Sequence, residues 1–178
     1  MRFYLMLTVF LLMLTGVNLA TAEGQYLQGR VIQGPYKTKI ANGGELSVLE
    51  TGDKNFPLSL VLDVMDNNGE KNRQLVDKYD VAGSAPKVES VFTYPVKGKI
   101  NILVLVSWEL TSRGIGTYGM LYQVFGYHKD PDNKLSANKL IKFDKMLSGI
   151  EGYQEGNPQS FRYKNAAEIK TYIKKFIN

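Results

Sequence analysis

One histidine, His128, and no cysteine bound the chemistry open to this chain. Without thiols there is no cysteine nucleophile, no thiolate metal site and no disulfide. A histidine-based zinc site would have to take most of its ligands from carboxylates. A Ser-His-Asp arrangement would need His128 as its base, and the G-x-S-x-G turn that presents such a serine is missing. His128 reads more simply as a histidine at the end of a strand.

Carboxylates offer a second kind of chemistry. Asp63 and Asp66 flank a predicted turn, Asp77 lies near Asp80, and Asp130 lies near Asp132. Glycoside hydrolysis needs two carboxyl groups about 5 to 10 Å apart across a cleft, which nearness in sequence does not establish. Aspartate is common in turns because its side chain bonds the local backbone. Asp130-Pro131-Asp132-Asn133 faintly resembles an acidic calcium loop, but glycine at the sixth position and glutamate at the twelfth are both missing. It is read as a turn. No catalytic set, metal site or cofactor is assigned; a hydrolase using Asp63 and Asp130 with His128 stands as the alternative.

The segment Trp108 to Tyr122 is richer in recognition chemistry. Two strand-like runs flank Ser112-Arg113-Gly114-Ile115-Gly116, which puts Arg113 near the tip of a glycine-rich loop. The glycines do not cradle phosphate, because no helix and no Lys-Ser/Thr pair follow them. Trp, Tyr and Arg are enriched at binding hot spots. Arg113, with Trp108, Glu109, Tyr118 and Tyr122 beside it, is therefore the candidate recognition surface. The plainer expectation is that Trp108 belongs to the core and Arg113 pairs with Glu109.

These residues must sit on a β framework. Apolar segments of strand length, separated by Gly and Asn, have the rhythm of antiparallel structure. Strands are expected at Tyr26–Ile32, Glu45–Glu50, Leu58–Met65, Arg73–Val81, Val88–Tyr94, Ile100–Leu110 and Tyr118–His128. Leu58, Leu60, Leu62 and Val64 share one face. In Ile100–Leu110 one face is apolar throughout and the other only in its middle, so this strand belongs inside a sheet covered at least partly on both sides. Asn138–Leu147 fits either a strand or a short helix, and Gly149–Ser160 reads as a loop. Asn165, with Glu168 three residues on, caps a final helix. Its stripe Ile169, Tyr172, Ile173, Phe176 and Ile177 needs a partner surface, with Lys170, Lys174 and Lys175 opposite. The fold class that follows is α+β: a mainly antiparallel, curled meander with the helix of about 165–177 packed on it.

The first 22 residues stand apart. Arg2 precedes an apolar run from Phe3 to Leu14, and Ala20-Thr21-Ala22 offers a signal-peptidase site before Glu23. The run is shorter than the roughly 20 apolar residues of a membrane span. An uncleaved anchor is the competing expectation. Residues 23–178 then form a single domain, exported and held without disulfides. That suits a bacterial, Gram-negative periplasm or secretion. The formal charge of +5 comes from scattered lysines with no concentrated basic face, which argues against nucleic acid as a partner. The reading that results is a non-catalytic binding protein, of the inhibitor or immunity kind, with another envelope protein as partner. A structural accessory factor is a third possibility.

Overall fold

The structure is a computed structural model, and it describes residues 24–41, 43–66 and 68–178. The proposed signal peptide lies outside the described residues.

Among the described residues ten strands form two antiparallel sheets. The first sheet has the order β1-β2-β3-β4: β1 (Arg30–Lys37), β2 (Glu45–Glu50), β3 (Leu58–Met65) and β4 (Lys71–Tyr79). The second has the order β10-β9-β7-β6-β5: β5 (Lys87–Val96), β6 (Lys99–Ser112), β7 (Thr117–Lys129), β9 (Ser148–Gln154) and β10 (Asn157–Gln159). The short β8 (Leu135–Ala137) pairs the far end of β7. Two helices follow β8 and β10 respectively: α1 (Lys139–Lys142) and α2 (Ala166–Phe176).

The second sheet is the middle layer of three. Strand side chains alternate, so β6 sends successive residues to opposite faces. Ile102, Val104, Val106 and Trp108 pack against Leu46, Val48, Leu58, Leu60 and Leu62 of the first sheet. Leu103 and Leu105 pack the other way, with Val124, under Ile141 and under Ile169 and Ile173 of α2. Residues 101–108 of β6 are all buried, the two-sided cover that its apolar middle implies.

One polar network crosses the first interface. The Tyr127 hydroxyl donates to Asp77 at 2.7 Å, and the Tyr79 hydroxyl lies 3.1 Å from it as donor. Burial pushes both phenols well above their usual range.

Asn165 caps α2 by accepting from the Glu168 backbone N–H at 3.0 Å, and the Glu168 carboxylate takes the Asn165 side-chain amide in return. Ile169, Tyr172, Ile173 and Ile177 are buried, whereas Phe176 is 63% exposed and leaves the expected stripe.

Two expectations need correction, and one open reading is decided. Tyr26 and Leu27 belong to a 3-10 turn, Gly24–Leu27, that roofs the outer face of the first sheet; the strand begins only at Arg30. Its backbone is held from below, since the Ser59 hydroxyl donates to the Tyr26 carbonyl at 2.8 Å. Of the two readings open for Asn138–Leu147 the helical one holds, because Asn138 accepts from the Leu140 N–H and starts α1. Gly149–Ser160 is no loop but the β9–β10 hairpin, and β9 pairs residues 118–123 of β7.

Candidate functional site

The helical layer covers only part of the middle sheet's outer face. Where it stops, three rows of side chains cross β6, β7 and β9. The register sets Ser107 beside Tyr122 and Gly149, Glu109 beside Met120 and Glu151, and Thr111 beside Tyr118 and Tyr153.

The row nearest the β6–β7 turn is the most exposed. Tyr118 stacks on Tyr153 with centroids 4.8 Å apart and ring planes 22° apart. The Arg113 guanidinium lies 4.7 Å from the Tyr118 centroid, within cation–π range. Arg113 therefore stacks instead of pairing with Glu109; among the described residues no ion pair joins the two. Beside it Ile115 is 71% exposed.

Backbone hydrogen bonds hold this tip. A 3-10 turn over Arg113–Ile115 closes with the Gly116 N–H donating to the Arg113 carbonyl at 3.0 Å. The β9–β10 turn then grips it: the Gly156 N–H donates to the Gly116 carbonyl at 3.0 Å, and the Glu155 N–H donates to the Thr117 hydroxyl at 3.1 Å. Glu155 and Gly156 both have positive φ, the geometry of a two-residue hairpin turn whose twist matches the strands.

The middle row is acidic. Two strand spacings of about 4.8 Å each separate the Glu109 and Glu151 backbones. Glu151 accepts the Phe161 N–H at 2.9 Å and pairs with Lys164 at 3.1 Å. The Phe161 amide and the Lys164 ammonium hold its carboxyl below the usual range, so it is ionised at neutral pH.

The row nearest the helices is half closed. Tyr122 lies under Phe161, stacked at 5.6 Å with planes 12° apart. Phe161 fits there because position 149 is glycine; a Cβ would come within 2.7 Å of the Phe161 ring.

The five sequence-predicted residues thus separate. Arg113, Tyr118 and Glu109 share the open face. Tyr122 sits at its inner margin, half-buried. Trp108 points the opposite way, into the core between the sheets, where its indole N–H donates to the Asp80 carbonyl at 2.8 Å. Tyr153 and Glu151, which complete the exposed rows, were not legible because their segment was read as a loop. The alternation of Ile150, Gly152 and Gln154 with Glu151 and Tyr153 was the available signal.

The residues of the alternative hydrolase do not converge. Asp63 lies on the outer face of the first sheet, opposite to Leu60 and Leu62, and is almost fully buried there. It accepts from Arg73 through both oxygens, at 2.6 and 2.8 Å, and pairs with Lys71 at 3.0 Å. The Arg73 guanidinium, with the Lys71 ammonium, keeps its carboxyl below the usual range. His128 shares the face of Val124, on the outer side of the middle sheet, so both sheets separate it from Asp63. Its Nδ1 is buried with no hydrogen-bond partner among the described residues, beside a recess of about 200 Å³ that Asn138 and Lys97 also line. Asp130 closes its own turn by accepting the Lys134 N–H at 2.9 Å. Among the described residues no three His, Asp or Glu side chains gather as metal ligands, and no helix is long and apolar enough to cross a membrane.

No family model, curated protein or solved structure matches the chain.

Proposed function

We propose that this is an exported, non-catalytic binding protein of the cell envelope, whose recognition surface is the open part of the middle sheet's outer face. One observation carries the proposal: Arg113, Tyr118 and Tyr153 stack together, the outer two exposed and Tyr118 half-buried between them, on two interlocked hairpin turns. Arginine and tyrosine lead the residue types that dominate protein interfaces. Holding them in place before contact lowers the ordering cost of association. Glu109, which has no ion pair among the described residues, adds negative charge behind the stack, while Glu151 is compensated by Lys164, so the fitting partner is a protein that offers an apolar pocket for the rings and a basic group beside it. The apolar run with its small-residue cleavage site supports export.

The test is affinity capture from envelope extract with wild type and with the Arg113→Ala, Tyr118→Ala double variant. A partner held by wild type and lost by a variant of unchanged melting temperature supports the proposal. The same partners in both samples would remove this surface from consideration.

A further inference from the structure

A second surface, at the far side of the helical layer, carries different chemistry. Residues 139–147 repeat in threes: Lys139-Leu140-Ile141, Lys142-Phe143-Asp144, Lys145-Met146-Leu147. They fold as α1 followed by a 3-10 turn over Lys145–Leu147. In so tight a helical path, side chains three apart fall on one side.

The third position of each triplet faces inward. Ile141 and Leu147 are each 1% exposed, and Asp144 accepts the Tyr172 hydroxyl at 2.8 Å. The second position faces out: Leu140 is 51% exposed, Phe143 71% and Met146 56%. Phe176 joins them from α2, beside a shallow open recess that it lines with Leu140 and Phe143. The first position supplies three exposed lysines, Lys139, Lys142 and Lys145. Lys97 shares the recess, and Lys175 follows on α2 with its ammonium 4.9 Å from the Phe176 ring. Among the described residues Lys139, Lys142, Lys145 and Lys175 have no Asp or Glu carboxylate within ion-pair distance, whereas the Lys97 ammonium donates to the Asn178 main-chain oxygen at 3.4 Å.

We propose that this face docks the protein on a bilayer surface that contains anionic phospholipid. Contiguous exposed apolar side chains on a folded domain mark a contact surface. Here they are half or more exposed around a shallow open recess, within reach of the outer acyl region of a bilayer. Lysines one residue away reach the headgroup phosphates with their apolar stems alongside. A second copy of the chain fits the same face poorly, because a symmetric pair would set the lysines against each other. This inference does not depend on the Arg113 surface.

The experiment is co-sedimentation of the chain, as recovered from expressing cells, with two kinds of vesicle. One is phosphatidylcholine alone, and the other is equal parts phosphatidylcholine and phosphatidylglycerol. The variants are Lys139→Gln with Lys142→Gln and Lys145→Gln, and separately Phe143→Ser with Phe176→Ser. Wild type should sediment with the anionic vesicles only, and less so in high salt. The lysine variant should lose about fivefold in partitioning per residue at low salt. The phenylalanine variant, which changes only exposed rings, should lose binding with no change in melting temperature. Equal sedimentation with neutral vesicles, or undiminished binding by both variants, would overturn the proposal and point to another apolar segment such as residues 3–14. A wild type left in the supernatant would overturn it too. The face would then pass to a second copy if sedimentation velocity shows a dimer that Phe143→Ser dissolves, and to an acidic protein if it shows a monomer.

Discussion

Gly119 and Gly152 face each other across β7 and β9 so closely that a methyl group added to either would stand 2.9 Å from the other's Cα. It would also run into a strand carbonyl: that of Glu151 from position 119, that of Tyr118 from position 152. Both residues have left-handed φ, +126° and +143°, which side chains resist. This close approach joins the strand that carries Tyr118 to the strand that carries Tyr153. Gly152→Ala should therefore destabilise the domain by about 2 kcal/mol or more. Denaturant unfolding measures the cost. Partner capture should weaken in the same variant, since the two rings would lose their stacking distance.

The last helix is held by side chains of very different burial. Ile173 is fully buried and Phe176 mostly exposed. Ile173→Asp should cost about 4 kcal/mol or more, because it removes apolar burial and leaves a carboxylate in the core. Phe176→Asp should stay within about 0.5 kcal/mol of wild type. Melting curves of the pair check the difference; a small shift for Ile173→Asp would mean that the helix is not docked.

Asp63 makes part of the stability depend on acid pH. Its folded pKa lies below that of the unfolded chain, held there by Arg73 and Lys71. A lowered carboxyl pKa adds stability above the unfolded value of about 3.9 and loses it as pH falls toward the folded value. Asp63→Asn should cost about 2 kcal/mol at neutral pH, where Arg73 loses its carboxylate and Lys71 keeps only the longer contact to Glu45. It should also flatten the fall in stability below about pH 4. Urea unfolding followed from pH 7 down to pH 3 gives both quantities.

Trp108 is the only tryptophan and reports on the core, not on the proposed recognition surface. Its emission should be blue-shifted and shielded from soluble quenchers. Binding of a partner at Arg113 should leave that emission unchanged, whereas Leu60→Ala, across the sheet interface, should shift it. Steady-state fluorescence with iodide decides the matter.

Much of this architecture was legible where local pattern and tertiary demand agree. β2 and β3 fall where alternation puts them, and β6 declares its two-sided cover through Leu103 and Leu105. The Asn165 cap announces α2. β9 was hidden because Gly149 and Gly152 look like loop residues in isolation. Each is glycine for a remote reason, the ring of Phe161 and the backbone of β7. The proposed recognition surface is half visible for the same cause: Arg113 and Tyr118 lie on a readable hairpin, and their neighbour Tyr153 does not. Trp108 was grouped with them by nearness in sequence, although strand alternation sends it away from Glu109.

Three of the four outer sheet edges, those of β10, β5 and β4, are poor places for another chain to attach. β10 is three residues long with Pro158 at its centre, so it offers little backbone to pair. The Gln33 side chain occupies the Val88 carbonyl on β5, and the Asn178 amide occupies that of Pro95. β4 lines its margin with Lys71, Arg73 and Lys78. An extended peptide would find little free ladder on these three strands, which guards them against zipping onto other copies of the molecule.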